Sequence, residues 1–297
     1  MNGNVIEVED LHYRYGEFAA VRGIDFTVRR GETFALLGTN GAGKTTTLEV
    51  IEGFRKPAKG RVRVLGLDPH ADRYQVQART GVMLQNAGLI EELTVAETLR
   101  LWQRLSSRTD KVATALSRVD LAHKSDVQVD KLSGGERRRL DFAISTWGAP
   151  ELVVLDEPTT GLDPESRQRL WARVGELKES GSTILLTTHY LEEAEALADQ
   201  VTIMHNGVAQ ISGTLHEVLS GRPATITADL PAHAPALPTL HGSTTVDGNR
   251  IRVETLALQA DLTTLLNWAG QHRLELENLN ASPASLHEVF LATSEKG

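Results

Sequence analysis

The nine residues GTNGAGKTT at positions 38 to 46 follow an apolar run, TFALL, and lead into a helical pattern, TTLEVIEGF. They match G-x-x-x-x-G-K-[ST] in the strand, loop, helix context that this motif requires, and they leave few folds open to the chain. Gly38, Gly41 and Gly43 free the backbone to wrap phosphate oxygens, Lys44 can reach the β- and γ-phosphates, and the Thr45 hydroxyl can coordinate Mg²⁺. Thr39, Asn40, Ala42 and Thr46 complete the loop. A chance glycine turn is the competing reading, and the flanking strand and helix argue against it. The chain reads as a nucleotide-binding α/β protein built on a P-loop.

LVVLDEP at 152 to 158 supplies the second half of such a site, with Asp156 at the end of an apolar strand, where ligands of open α/β sheets bind. Asp156 would hold Mg²⁺ through water, and Glu157 is a candidate general base for a water attacking the γ-phosphate. A carboxylate at a strand end is more often a helix cap or a solvated loop residue. LSGGERRRL at 132 to 140 opens a helix, because Ser133 and Glu136 form a capping box ahead of Leu140, Ala143, Ile144 and Trp147. Gly134 and Gly135 are poor helix formers that strip side chains from the N-terminus, where free N–H groups point outward. The three arginines suggest nucleic acid, but Arg137 can pair with Asp141 and Glu136 with Arg139 on the same helix. The net charge of −8 argues against a polyanionic partner, and none is expected.

GVMLQ and ILLTTH are further apolar runs suited to buried parallel strands, while VIEV and IDFTV before residue 35 read as antiparallel strands. From residue 86 to about 146 the pattern is helical and reads as an insertion. Asn206-Gly207 marks a hairpin that closes a first domain over residues 1–220. From 221 to 297 a Pro/Ala-rich stretch leads to a small α+β domain, with a hairpin at Asp247-Gly248, an amphipathic helix in ALQADLTTLLNWAG, and a last helix capped at Ser282. This tail reads as a docking or dimerisation module. No apolar stretch approaches the roughly 20 residues of a membrane span, MNGNVIEVED lacks a signal's basic start and apolar core, and cysteine is absent, which points to the cytoplasm.

The P-loop, Gln85 after GVML, LSGGE, LVVLDEP, GLDP and His189 after ILLTT occur in the order of the ABC ATPase family, and the chain resembles that family over roughly residues 4 to 220. The resemblance implies ATP and Mg²⁺ as cofactors and two cassettes that dimerise head to tail. Ser133, Gly134 and Gly135 of one would face the γ-phosphate held by the other. It also implies that Gln85 touches Mg²⁺ and reports to a membrane partner, that His189 contacts the γ-phosphate, and that Tyr15, or Tyr13, stacks on adenine. Without the family, His189 would pass for an ordinary core or surface histidine. Asp163 resembles the residue that meets the opposite subunit, and it suits an N-cap before Pro164 equally well. Glu136 departs from the glutamine of many members and adds negative charge there.

LSGGERRRLDFA, SLHEVFLAT and the stretch from GVMLQ to residue 101 resemble the daunorubicin-resistance type of single cassette, which implies an export ATPase on the inner face of the cell membrane. Such an ATPase serves a separate ABC-2 type permease in efflux of drugs, antibiotics or other hydrophobic molecules. An importer cassette, a soluble ABC protein acting on ribosomes or DNA, and a non-catalytic interaction module are the competing readings.

Overall fold

The computed structural model describes residues 3–85, 88–231 and 233–294, residues 291–294 by backbone alone. The start of the helical insertion at residue 86, the first two residues of the N-terminal stretch and the last three of the tail lie outside the described residues. The chain separates into two compact units, one ending at Leu215 and one beginning at His216.

In the first unit, β1 (Asn4–Tyr15) and β2 (Phe18–Arg29) pair antiparallel. β3 (Thr33–Gly38) runs into the P-loop and α1 (Lys44–Ile51). β4 (Lys59–Val64), a strand that alternation in KGRVRV hinted at only weakly, then pairs with β1 and completes a three-stranded sheet. α2 (Arg73–Arg79) leads to β5 (Thr80–Met83). The helical stretch follows as α3 (Val95–Leu105), α4 (Val112–Arg118), two short 3₁₀ turns and α5 (Gly134–Ser145). The chain then returns to β6 (Leu152–Asp156), α6 (Pro164–Glu179), β7 (Thr183–Thr188), α7 (Leu191–Leu197), β8 (Gln200–His205) and β9 (Val208–Thr214).

The six strands of the second sheet lie in the order β5-β6-β7-β3-β8-β9, parallel except for the β8–β9 hairpin. Every residue of β3, β6 and β7 is buried, and Phe34, Leu36, Leu152, Val154 and Leu185 share one core with α1 and the antiparallel sheet, so these strands need apolar side chains nearly throughout. Their parallel register brings the C-terminal ends of β3, β5, β6 and β7 to one edge of the sheet. The hairpin turns at Asn206 and Gly207, both with positive φ as a tight two-residue turn demands. The Ala20 carbonyl of β2 is wedged between two glycines. A β-carbon at Gly43 would lie 2.6 Å from this oxygen, and one at Gly207 2.7 Å.

α8 (Leu215–Leu219) spans the junction of the two units and precedes the composition change at Arg222. The second unit holds β10 (Ala224–Asp229), β11 (Ser243–Asp247), β12 (Arg250–Thr255), α9 (Leu258–Gln271), β13 (Glu277–Ser282) and α10 (Leu286–Ser294). Its sheet order is β11-β12-β10-β13, and its core gathers Ile226, Ile251, Val253, Leu265 and Trp268. Ser282 does not cap the last helix. It ends β13, paired with Thr225, and α10 starts four residues later. Almost nothing in ENLNAS alternates, since the strand is largely exposed and held by its ladder to β10.

Gly81 in β5 lets α5 approach the sheet, for a β-carbon there would lie 1.7 Å from the Ser145 carbonyl oxygen. Gly81→Ala should force the helix outward and cost about 1–3 kcal/mol. Thermal unfolding tests it, and an unchanged Tm would mean that α5 leaves β5 freely.

Candidate functional site

The P-loop glycines are required for different reasons. A β-carbon at Gly38 would sit 2.6 Å from the Met204 carbonyl oxygen, whereas Gly41 and Gly43 adopt φ of 82° and 101°. Gly43 is the left-handed N-cap of α1, so the first-turn N–H groups have no side-chain cap and are left for an anion. Thr39, Asn40 and Thr45 are exposed, and Ala42 and Thr46 are buried. Lys44 is only 5% exposed. Its Nζ donates to the carbonyls of Gly38 at 2.8 Å and Thr39 at 3.3 Å and lies 3.7 Å from Glu157 Oε1. Burial holds its pKa below the usual lysine value.

Glu157 follows β6 with φ 46°, an unusual conformation for a non-glycine residue, and is 7% exposed. Its N–H donates to the carbonyl and the hydroxyl of Thr187, each at 3.1 Å. The Thr187 hydroxyl in turn donates to Asp156, whose pKa burial raises. Around the Glu157 carboxylate converge the Thr160 hydroxyl at 3.2 Å, Gln85 Nε2 at 3.4 Å, His189 Nδ1 at 3.2 Å and Lys44. The ends of β3, β5, β6 and β7 thus deliver Lys44, Gln85, Asp156, Glu157 and His189 to one point.

Tyr15 is 42% exposed beside α1, its hydroxyl donating to Glu49 at 3.0 Å and lying 3.4 Å from that of Thr46. The Arg55 guanidinium lies 4.8 Å from its ring centre, while Tyr13 is partly buried and accepts from Arg55 through its hydroxyl. Asp163 is the N-cap of α6, accepting from the Ser166 N–H at 3.0 Å.

Both halves of the capping box form: Ser133 Oγ accepts from the Glu136 N–H at 3.2 Å, and Glu136 accepts from the Ser133 N–H at 2.8 Å. That bond, with Lys124 at 3.5 Å, lowers the Glu136 pKa. Ser133 and Gly134 are exposed, and a β-carbon at Gly134 would meet nothing within 4 Å. Among the described residues no hydrogen bond or ion pair joins residues 133–135 to the P-loop or to Glu157. The arginines pair differently from the sequence expectation. Arg137 binds Glu91 at 2.8 Å, Arg138 takes Asp141 at 3.5 Å, and Glu136 takes Lys124. An exposed i,i+4 pair stabilises by only a few tenths of a kcal/mol, so Arg137 and Glu136 turn to tertiary partners while Asp141 pairs with Arg138 on its own helix.

Sequence reasoning missed Thr187, Thr160, Arg138 and Glu52. Thr187 lies in the ILLTTH run, but the register that sets it opposite Asp156 appears only in the fold. Glu52, the C-cap of α1, is 5% exposed and has no hydrogen bond to its carboxyl among the described residues. Burial first, then Asp156 and Glu49, push its pKa up to about 8.

Comparison with known proteins agrees with this arrangement. Residues 21–160 match the ABC transporter family, and residues 224–285 match the C-terminal domain of ABC transporter domain-containing protein-like proteins. The Nod factor export ATP-binding protein I of Ralstonia nicotianae is 37% identical, over 97% of this chain and 92% of its own length. A daunorubicin resistance ATP-binding protein of Streptomyces coeruleorubidus is 42% identical, over 73% of this chain and 71% of its own. Among solved structures, an ATP-binding subunit of an ABC transporter superimposes with a TM-score of 0.67 at 31% identity, covering 72% of this chain and 91% of that one. An ABC transporter cassette in its ADP conformation gives 0.63 at 26% identity, covering 72% and 92%. The chain belongs to the ATP-binding proteins of ABC transporters. It is an ATPase.

Glu52 makes stability depend on pH. Its folded pKa lies above the usual 4.5, so its contribution is complete below about pH 4.5 and is lost as pH rises through about 8. Glu52→Gln should remove that dependence and gain on the order of 2–4 kcal/mol over wild type at pH 9 relative to pH 5. Denaturant unfolding at both pH values measures the difference, and parallel curves would discard the buried-acid account.

Proposed function

We propose that this chain is the ATP-hydrolysing subunit of an export complex, in which two copies close head to tail over two ATP molecules and drive a separate ABC-2 type permease. The observation that carries the reading is the convergence of Lys44, Gln85 and His189 on Glu157, while the signature end of α5 stays exposed and unconnected to that cluster.

Phosphate would draw Lys44 away from the Gly38 and Thr39 carbonyls, and a polyanion beside it favours its charged form. The N-terminus of α1 and the P-loop amides would hold the β- and γ-phosphates, and Tyr15 the adenine. Thr45, Gln85 and Asp156 offer the oxygen donors that suit Mg²⁺, which when bound offsets phosphate charge. Glu157 would polarise the attacking water, oriented by Gln85, and His189 would meet the γ-phosphate. The Ser133 hydroxyl and the bare amides of Gly134 and Gly135 would complete the partner's site with the positive end of α5, and Asp163 would face that subunit beside its capping role. Glu136 spends its charge on Ser133 and Lys124, which leaves that end suited to an anion.

If sites form in trans, Lys44→Ala and Ser133→Arg should each abolish turnover, yet their mixture should regain up to about a quarter of wild-type activity. Half of the dimers would be mixed, each with one intact site. ATPase assays of the pair decide it, and a mixture no better than its parents removes the trans pairing.

The permease reading rests on an apolar groove beside the Gln85 segment. Two cavities of about 420 and 310 Å³ share Val82, Leu84, Trp102 and Leu105, with Leu84 and Leu105 exposed. Among the described residues no helix is long and apolar enough to cross a membrane, so the chain would bind the inner membrane face through such a partner. Glu157→Gln should lower turnover about 10²- to 10⁴-fold and, purified from membranes with ATP, should carry a polytopic membrane protein with it. Adding Leu84→Glu should release that protein. Recovery with ribosomes or DNA instead would transfer the reading to a soluble ABC ATPase, and drugs or other hydrophobic molecules are the substrate class to assay first.

A further inference from the structure

Arg138 lies on the second turn of α5, and its side chain is 10% exposed. Nη1 donates to the carbonyls of Leu84 at 2.8 Å and Gln85 at 3.0 Å. Nη2 donates to those of Asp156 at 3.0 Å and Glu157 at 2.7 Å, and Nε to that of Pro158 at 2.8 Å. Asp141, one turn on, lies 3.5 Å from Nη1 and balances the charge. A buried cation is costly to desolvate, and here five backbone dipoles and one carboxylate replace the lost water. Only a planar guanidinium distributes its donors this way, since an ammonium has three on a single atom.

The five carbonyls belong to two segments that nothing in the sequence joins: the end of β5, which carries Gln85, and the end of β6, which carries Asp156 and Glu157. The side chains of Gln85 and Glu157 meet at 3.4 Å, a separation set by the backbones that Arg138 ties together. Glu157 also holds its positive φ between two restraints, Thr187 on its N–H and Arg138 on its carbonyl. A residue in that conformation persists only when its surroundings over-determine it.

We propose that Arg138 is a positioning residue. It fixes Glu157 and Gln85 to the helix whose first turn carries Ser133, Gly134 and Gly135, so that displacement of α5 shifts the base of the same copy. A partner nucleotide engaging that end of α5 would then be felt at this copy's own carboxylate. The inference rests on the assignment of Glu157 as base.

The test uses the full-length chain with Arg138→Gln and Arg138→Lys, the latter keeping the charge beside Asp141. Steady-state and single-turnover ATPase rates, nucleotide affinity and Tm are measured, each variant also in the Glu157→Gln background. Arg138→Lys should lower kcat about 30- to 100-fold, with KM for ATP within about 3-fold and Tm close to wild type. In the Glu157→Gln background the same change should cost less than about 3-fold, because its effect passes through the missing carboxylate. Losses that multiply in the double variant, or Arg138→Lys with wild-type kcat while Glu157→Gln is slow, overturn the positioning role. Wild-type turnover by Glu157→Gln would instead remove the base assignment beneath it.

Discussion

The parallel pairing of β6 with β7, in the register that sets Asp156 opposite Thr187, is the constraint on which the site depends. A shift of one residue would turn every side chain of β6 to the opposite face, setting Leu155 or Glu157 opposite Thr187 in place of Asp156. In the observed register one hydroxyl serves both acids, donating to Asp156 and accepting from the N–H of Glu157. The hydroxyl of a β-branched side chain is aimed by the strand itself, because few χ1 values are open to it. The two carboxyl groups therefore differ in surroundings although they adjoin in sequence, one anchored inside the sheet and the other turned toward Gln85, His189 and Lys44.

The parallel sheet, the P-loop, the hairpin at Asn206-Gly207 and the capping box at Ser133 were legible because each rests on local chemistry: an apolar run, a glycine spacing, a turn dipeptide, a side chain three residues from its partner. β13 was not, since its residues are polar and exposed and it exists through the ladder to β10. Ser282 misled for the same reason, because Ser-Pro carries a helix-start signal that a neighbouring strand overrode. Lys44, Asp156 and Glu157 were nameable from their own motifs, Gln85 and His189 only through the family resemblance, and the bonds that orient all five were not legible. Arg138 illustrates the limit: from sequence it is one of three arginines on a helix, and only the tertiary fold brings five carbonyls to it.

Buried charge is the price of this arrangement, with Lys44, Asp156, Glu157, Asp141 and Glu52 all nearly out of water. Burial pushes the pKa of Asp141 up to about 6 and that of Glu52 to about 8, and it lowers that of Lys44. Of these groups only the lysine would gain an opposite charge from a phosphate ligand, so ligand binding and folding are linked through Lys44.

The wedge of the Ala20 carbonyl between Gly43 and Gly207 ties the antiparallel sheet, the phosphate loop and the β8–β9 hairpin at one atom. Three segments far apart in the chain therefore cannot vary independently. A side chain gained at either glycine, or an insertion that lifts β2, would open the same gap. In evolutionary terms this corner is a single heritable unit, because a change in any one of the three segments has to be matched by the other two.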